Sequence, residues 1–185
     1  MENELESLKF PIGKYKAILD FNFSRTVEDI KTLESFSGDL RECVKGLDKT
    51  DFKKSYRDGG MNIAQIIHHF CDTHTYAFLR TKHTLLEENP SVKMYEVAEF
   101  LTTPDSNVLD VKDSLNVIEG IHAKWVSLLK TLSEKDFKKT YYHSSRDKNI
   151  ILHEHVGMYA WHTKHHIEHI KMAKKNIKQK GKRVK

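Results

Sequence analysis

The sequence predicts an all-α fold, a four-helix bundle, and three observations carry that expectation. Four stretches place apolar residues at three- and four-residue steps, the period of a helix with one buried face. No segment alternates apolar and polar residues over enough positions to predict a sheet. Finally, LDKTDFKKSY (Leu47–Tyr56) is echoed 85 residues later by LSEKDFKKTY (Leu132–Tyr141). Each copy follows one helical stretch and precedes another that begins Asn-Ile. Two copies of helix, linker, helix read as two helix hairpins related by a pseudo-twofold.

The first helix is expected over residues 24–45, with Val27, Ile30, Leu33, Leu40 and Val44 near one stripe. Thr26 and Asp29 have capping-box spacing, and Ser24 is the other candidate cap. The second is expected over 62–87, from the residues after the Gly59-Gly60 turn to just short of Pro90. A long connection, 90–111, joins the halves. The third helix, 113–132, repeats Leu115, Ile118, His122, Trp125, Leu129 and Leu132, and the fourth runs from 149 to about 176. The repeated Asp51-Phe52 and Asp136-Phe137 read as loop plugs for the bundle ends rather than as chemistry.

At 185 residues with 38% hydrophobic and 31% charged side chains, the chain has the composition of one globular domain, residues 1–170, followed by a basic helix end or tail, 171–185. No run of 18 apolar residues occurs, which excludes a helical membrane span. The N-terminal sequence has no export-signal pattern, so a cytoplasmic location and reduced cysteines are expected. The net charge of +5 is an end effect. Residues 171–185 hold eight Lys/Arg and no acid, which leaves the first 170 residues at −3. A mildly acidic folded part argues against a nucleic-acid partner. Cys43 and Cys71 fit neither a disulfide scaffold nor a C-x-x-C site.

The informative residues are the 12 histidines, six of them between His153 and His169. In HEHVGMYAWHTKHHIEH, His155, His162, His166 and His169 follow at steps of seven, four and three and share one helical face. His162 and His166, one turn apart, can reach a common point, which is half of a helical site for zinc or nickel. A third ligand has to come from another helix, where IIHHFCD offers His68 or His69; periodicity leaves that choice open. HEHVG lacks the second half of H-E-x-x-H, which excludes a zincin site. Asp72 could accept a ligand's second ring proton, and with His122 it is the candidate for moving protons. His122 and Tyr159 are candidates for lining the cavity, whereas Trp125 and Trp161 are expected in the core.

These positions meet a family pattern. KFPIGKY (Lys9–Tyr15), SYRDGG followed by IAQIIHHFCDTH (within Ser55–His74), RTKHTLLEENP (Arg80–Pro90), IHAKW (Ile121–Trp125), LSEKDFKKTYYH (Leu132–His143) and YAWHTKHHIEHI (Tyr159–Ile170) occur in this order and spacing. Over about residues 9–170 the chain resembles the DinB-like superfamily, specifically its YfiT-type metal-dependent hydrolases. The resemblance implies a four-helix bundle with an open end and one Zn2+ or Ni2+ per subunit held by His69, His162 and His166. It also implies a metal-bound water acting on a small-molecule substrate, a cytoplasmic location and a homodimer. Two departures, Met61 in place of an aromatic residue and Cys71 in place of alanine, keep apolar side chains but alter pocket shape. Relatives in the superfamily are similar to thiol S-transferases of the bacillithiol-transferase type, in which the metal activates a low-molecular-weight thiol. That chemistry and a non-catalytic metal-binding role are the alternatives.

Overall fold

In the computed structural model, backbone is described for residues 2–92 and 96–182, and side chains for 4–92 and 96–176. The elements are α1 (Glu2–Lys9), α2 (Phe23–Val44), α3 (Lys49–Phe52), α4 (Ile63–Leu86), β1 (Ser91–Val92), α5 (Val97–Phe100), α6 (Lys112–Leu129), α7 (Glu134–Phe137), β2 (Thr140–His143), β3 (Lys148–Ile151) and α8 (Leu152–Lys182). Residues 171–182 of the basic tail are thus the end of α8; residues 183–185, and the side chains beyond 176, lie outside the described residues. No helix among the described residues is long and apolar enough to cross a membrane.

Helices α2, α4, α6 and α8 form the expected bundle. Its main packings are α2 on α8 and α6, and α4 on α6 and α8. Helices consecutive in sequence, α2 with α4 and α6 with α8, therefore face each other across the diagonal, and each hairpin connection crosses a bundle end. What permits the diagonal is linker length, since 18 residues separate α2 from α4 and 22 separate α6 from α8. Two clusters fill the interior: one around Phe36, Leu40, Ile66, Phe70 and Ile118, the other around Leu33, Trp125, Leu129, Phe137, Val156 and Ala160.

The α2 cap is Asn22, whose side chain accepts the Arg25 N–H, so α2 begins before the expected Thr26 or Ser24. The repeated motif proves to be a repeated capping box. Asp48 with Asp51 starts α3 and Ser133 with Asp136 starts α7, while Phe137 is buried as a plug and Phe52 packs on the core. Asn62 and Gln65 make a third box at the start of α4.

The expectation of no sheet is corrected. A small sheet, in the order β1-β2-β3, pairs β1 parallel to β2 and β2 antiparallel to β3. Residues 149–151, expected to open the last helix, fall in β3 instead, and α8 starts at Leu152. Strands of two to four residues are too short for alternation to register in sequence. Tyr141, Ile150 and Val92 bury one face of the sheet, and Asp147 turns its tip with a left-handed backbone, φ +46°.

Candidate metal centre

Helix α8 presents His162 and His166 one turn apart, and α4 packs beside it. His69 on α4 is the member of the doublet that meets them: the ligating nitrogens of His69, His162 and His166 all lie within 4.8 Å of one another. His69 Nε2 and His162 Nε2 are 3.1 Å apart. His68 turns away to α6 and the preceding loop, with Nε2 2.9 Å from the Val108 carbonyl and Nδ1 2.8 Å from the Ser114 hydroxyl.

Burial dominates the electrostatics. It holds the His69 imidazole down to about 4, and His162 and His166 well below the usual histidine range, with neighbouring histidines adding to the effect. All three are therefore neutral at pH 7, the form that coordinates a metal.

The protons on two of them can be assigned from carbonyls, which only accept. The Leu33 carbonyl lies 2.8 Å from His122 Nδ1, so that nitrogen carries the proton and Nε2 of the neutral ring accepts. His74 Nδ1, 2.7 Å away, must then donate to it, which leaves His74 Nε2 to accept from His162 Nδ1 at 3.1 Å. The result is a lone pair on His162 Nε2. The same logic runs through His169, whose Nε2 lies 3.2 Å from both the Leu8 and Lys9 carbonyls. His169 Nδ1 accepts from His166 Nδ1 at 3.1 Å, so His166 Nε2 also carries a lone pair. Each of the two α8 imidazoles is thus set as an electron-pair donor, His162 through His74 and His122 and His166 through His169, and both relays end on backbone carbonyls.

A cation fits this arrangement. A tetrahedral zinc with bonds of about 2.0–2.1 Å separates its nitrogens by about 3.3 Å. The 3.1 Å approach of His69 to His162 is close to that, and the third ring offers a nitrogen within 4.8 Å of both. A second close group, His165, His166 and His169, reuses His166. There His169 is stacked on Tyr56 at 3.8 Å between ring centroids and tied to two carbonyls, so it reads as the support of His166.

The three histidines open onto a cavity of about 550 Å³. Its walls include Met61, Val97, Met158, Tyr159 and Trp161, and β2 with the following turn adds His143 and Arg146. Tyr159 lines the cavity as expected. Trp161, expected in the core, stands at the cavity wall, while Trp125 is fully buried. Met61 is on the wall, whereas Cys71 packs against the core.

Neither Asp72 nor His122 reaches the cavity. Asp72 faces His68 and Asp105, and burial raises its carboxyl. His122 is two imidazoles away from the ligating nitrogens and acts on them only through His74. His155, on the predicted stripe, is a satisfied core residue; its Nδ1 is 2.9 Å from the Tyr141 hydroxyl and its Nε2 3.2 Å from the Ala77 carbonyl. Sequence reasoning missed His74, His143, Arg80 and Arg146. Of these only His74 carried a signal, since it lies five residues after His69 and about 140° around the same helix.

Fold and site together define a bundle whose centre is a set of histidines from two helices, and the chain belongs to the DinB superfamily, whose profile matches residues 32–170. Within it the similarity is to the YfiT type. The Bacillus subtilis protein named "Putative metal-dependent hydrolase YfiT" is 33% identical over 164 residues, 89% of this chain and 92% of its own. Proteins of the same description from Geobacillus kaustophilus and Oceanobacillus iheyensis are 33% and 36% identical, covering 92% and 88% of this chain. The solved structure of B. subtilis YfiT, described as having an unusual four-helix bundle topology, superposes with a TM-score of 0.89 at 32% identity over 92% of this chain and 98% of that one. A mycothiol-dependent maleylpyruvate isomerase, 14% identical with a TM-score of 0.64, shares the fold.

Proposed function

We propose that the protein is a metal-dependent hydrolase of small molecules, with His69, His162 and His166 holding one zinc or nickel ion. The observation that carries this reading is the convergence of the three neutral imidazoles, two of them with the ligating lone pair set in advance by hydrogen bonds to His74 and His169. Three protein ligands leave a coordination position open, the catalytic rather than the structural pattern. A bound ion supplies Lewis acidity and a water acidified toward neutrality.

The chain's own residues supply the rest. His74 and His169 hold the ligands in register, and the apolar wall of Met61, Met158 and Trp161 limits water. Tyr159, whose hydroxyl is kept protonated by burial, is placed to donate a hydrogen bond into the cavity. No carboxylate lines the cavity among the described residues, which favours a second reading, metal-dependent thiol S-transfer. That reaction needs the metal to lower a thiol's pKa but no protein base.

The test starts with metal content by mass spectrometry on untagged protein, wild type beside His162→Ala. A panel of esters, amides and thiol–electrophile pairs is then assayed with and without chelator. One ion per chain, lost in the variant, with chelator-sensitive hydrolysis supports the first reading. Turnover that requires an added thiol moves the assignment to the second. Wild-type protein that stays folded and takes up neither metal sinks both.

A further inference from the structure

A second cavity, of about 640 Å³, shares Tyr15 and Trp161 with the metal cavity and is otherwise separate from it. One wall is a stripe of α8, where His153, Gly157, Trp161 and Lys164 follow at steps of four, four and three. The KFPIGKY stretch, which the metal cavity touches only at Tyr15, adds Ile12 through Tyr15 to the lining. His153 is 7% exposed, and burial lowers its imidazole below the usual histidine range, so the ring is neutral. A hydrogen bond to the Leu19 carbonyl puts its proton on Nδ1, which leaves the Nε2 lone pair buried without a partner. At Gly157 an ideal Cβ would stand 3.2 Å from Asp29 Oδ2 and 3.6 Å from the Tyr15 hydroxyl, so glycine leaves the room in which the Asp29 carboxylate meets α8. That carboxylate lines the cavity and accepts no hydrogen bond among the described residues. Its one ion pair among them, to the exposed Arg25, is 3.9 Å long, and burial raises it. One and two turns further along α8 the chemistry reverses. The Trp161 indole N–H is buried with no partner, and the exposed Lys164 makes no ion pair among the described residues.

We infer that this cavity is a binding site for an elongated zwitterion, its ammonium on Asp29 and His153 Nε2 and its carboxylate on Lys164 and the Trp161 N–H. The site stands independently of the metal reading. A polar group buried without a partner is costly, and here one acceptor and one donor are left in that state along a single helix face. An ammonium carries only donors, which is what a carboxylate and an imidazole lone pair can take up together. A ligand carboxylate only accepts, and the Trp161 and Lys164 side chains only donate. Other charges in the lining are already engaged, Glu154 by Lys148 Nζ at 3.4 Å and Lys14 by Glu6 at 3.0 Å. Gly157 and Lys164 are seven residues apart, about 10 Å along the helix, so one small molecule can reach both ends.

Isothermal titration of the untagged full chain with 6-aminohexanoate tests this, beside hexylamine and hexanoate, which each lack one of the two charges. The variants are Asp29→Asn, which keeps the shape of the side chain, and Lys164→Met, at an exposed position. Gly157→Ala is the third; it favours the helix while filling the room beside Asp29. Wild type is expected to bind 6-aminohexanoate about tenfold more tightly than either single-charge probe. Asp29→Asn and Gly157→Ala should each weaken 6-aminohexanoate about tenfold and leave hexanoate unchanged. Lys164→Met should weaken 6-aminohexanoate and hexanoate and leave hexylamine unchanged. No binding of 6-aminohexanoate to wild type, no preference over the single-charge probes, or binding that Asp29→Asn or Lys164→Met leaves unchanged overturns the inference. Metal content, measured on the same samples, decides the metal reading separately, because none of the three positions is a candidate ligand.

Discussion

A single proton decides whether an imidazole can be a ligand, and here two of those protons are controlled from elsewhere in the bundle. Leu33 on α2 sets His122 on α6, which sets His74 on α4, which sets His162 on α8. Replacing His74 by Leu removes the acceptor and frees His162 to rotate or change tautomer. Metal affinity should fall roughly 10–100-fold while stoichiometry at saturating zinc stays at one. His169→Leu should do the same through His166, and competition with a chromophoric chelator measures both. His162→Ala or His69→Ala differs in kind, because it removes a ligand and stoichiometric binding with it. His122→Phe removes the next ring of the same relay, and it should lower metal affinity without abolishing turnover.

At the scale of elements, the site depends on short pieces that hold the long helices in place. The capping box of α7 puts Phe137 into the cluster beneath Trp125 and starts the chain toward β2, which delivers His143 and Arg146. Ser133→Ala removes a cap and should cost about 1 kcal/mol in urea unfolding. Phe137→Ala should cost about 3–5 kcal/mol, because the plug is fully enclosed. The four long helices were legible because each repeats its apolar face for five or more turns. The sheet was not, since β2 offers four residues, Thr140 to His143, and its burial depends on partners 51 positions away at Ser91 and Val92.

Across the whole molecule, buried neutral histidine is the dominant electrostatic feature. Besides the three candidate ligands, His122 and His143 are held down to about 4 and His155 to about 3, each by burial first. Above about pH 6.5 folded and unfolded chains carry the same protons on these groups, and stability is full. As pH falls from there toward about 4 the unfolded chain takes up protons that the folded one refuses, so stability drops. Each such histidine contributes on the order of 1 kcal/mol per pH unit in that window. Metal-free protein should therefore lose thermal stability steeply between about pH 6.5 and 4, measured by calorimetry in chelator. A flat profile there would mean that the buried rings are already charged or solvated.

By itself the sequence determined the four helices and the one-turn spacing of His162 and His166, and it offered a second histidine pair, His68 and His69, on α4. All of these follow from periodicity along one chain segment, because helix geometry turns spacing into direction. The tertiary structure decided that His69 meets His162 and His166 while His68 turns away, that the hairpins cross the diagonal, and that His74 and His169 hydrogen-bond to the two α8 histidines. It also decided that Trp161, Arg80, His143 and Arg146 line one cavity with the three histidines. Those relations join segments up to 161 residues apart. They arise from how helix faces and loop lengths pack together, and no local spacing along the chain records that.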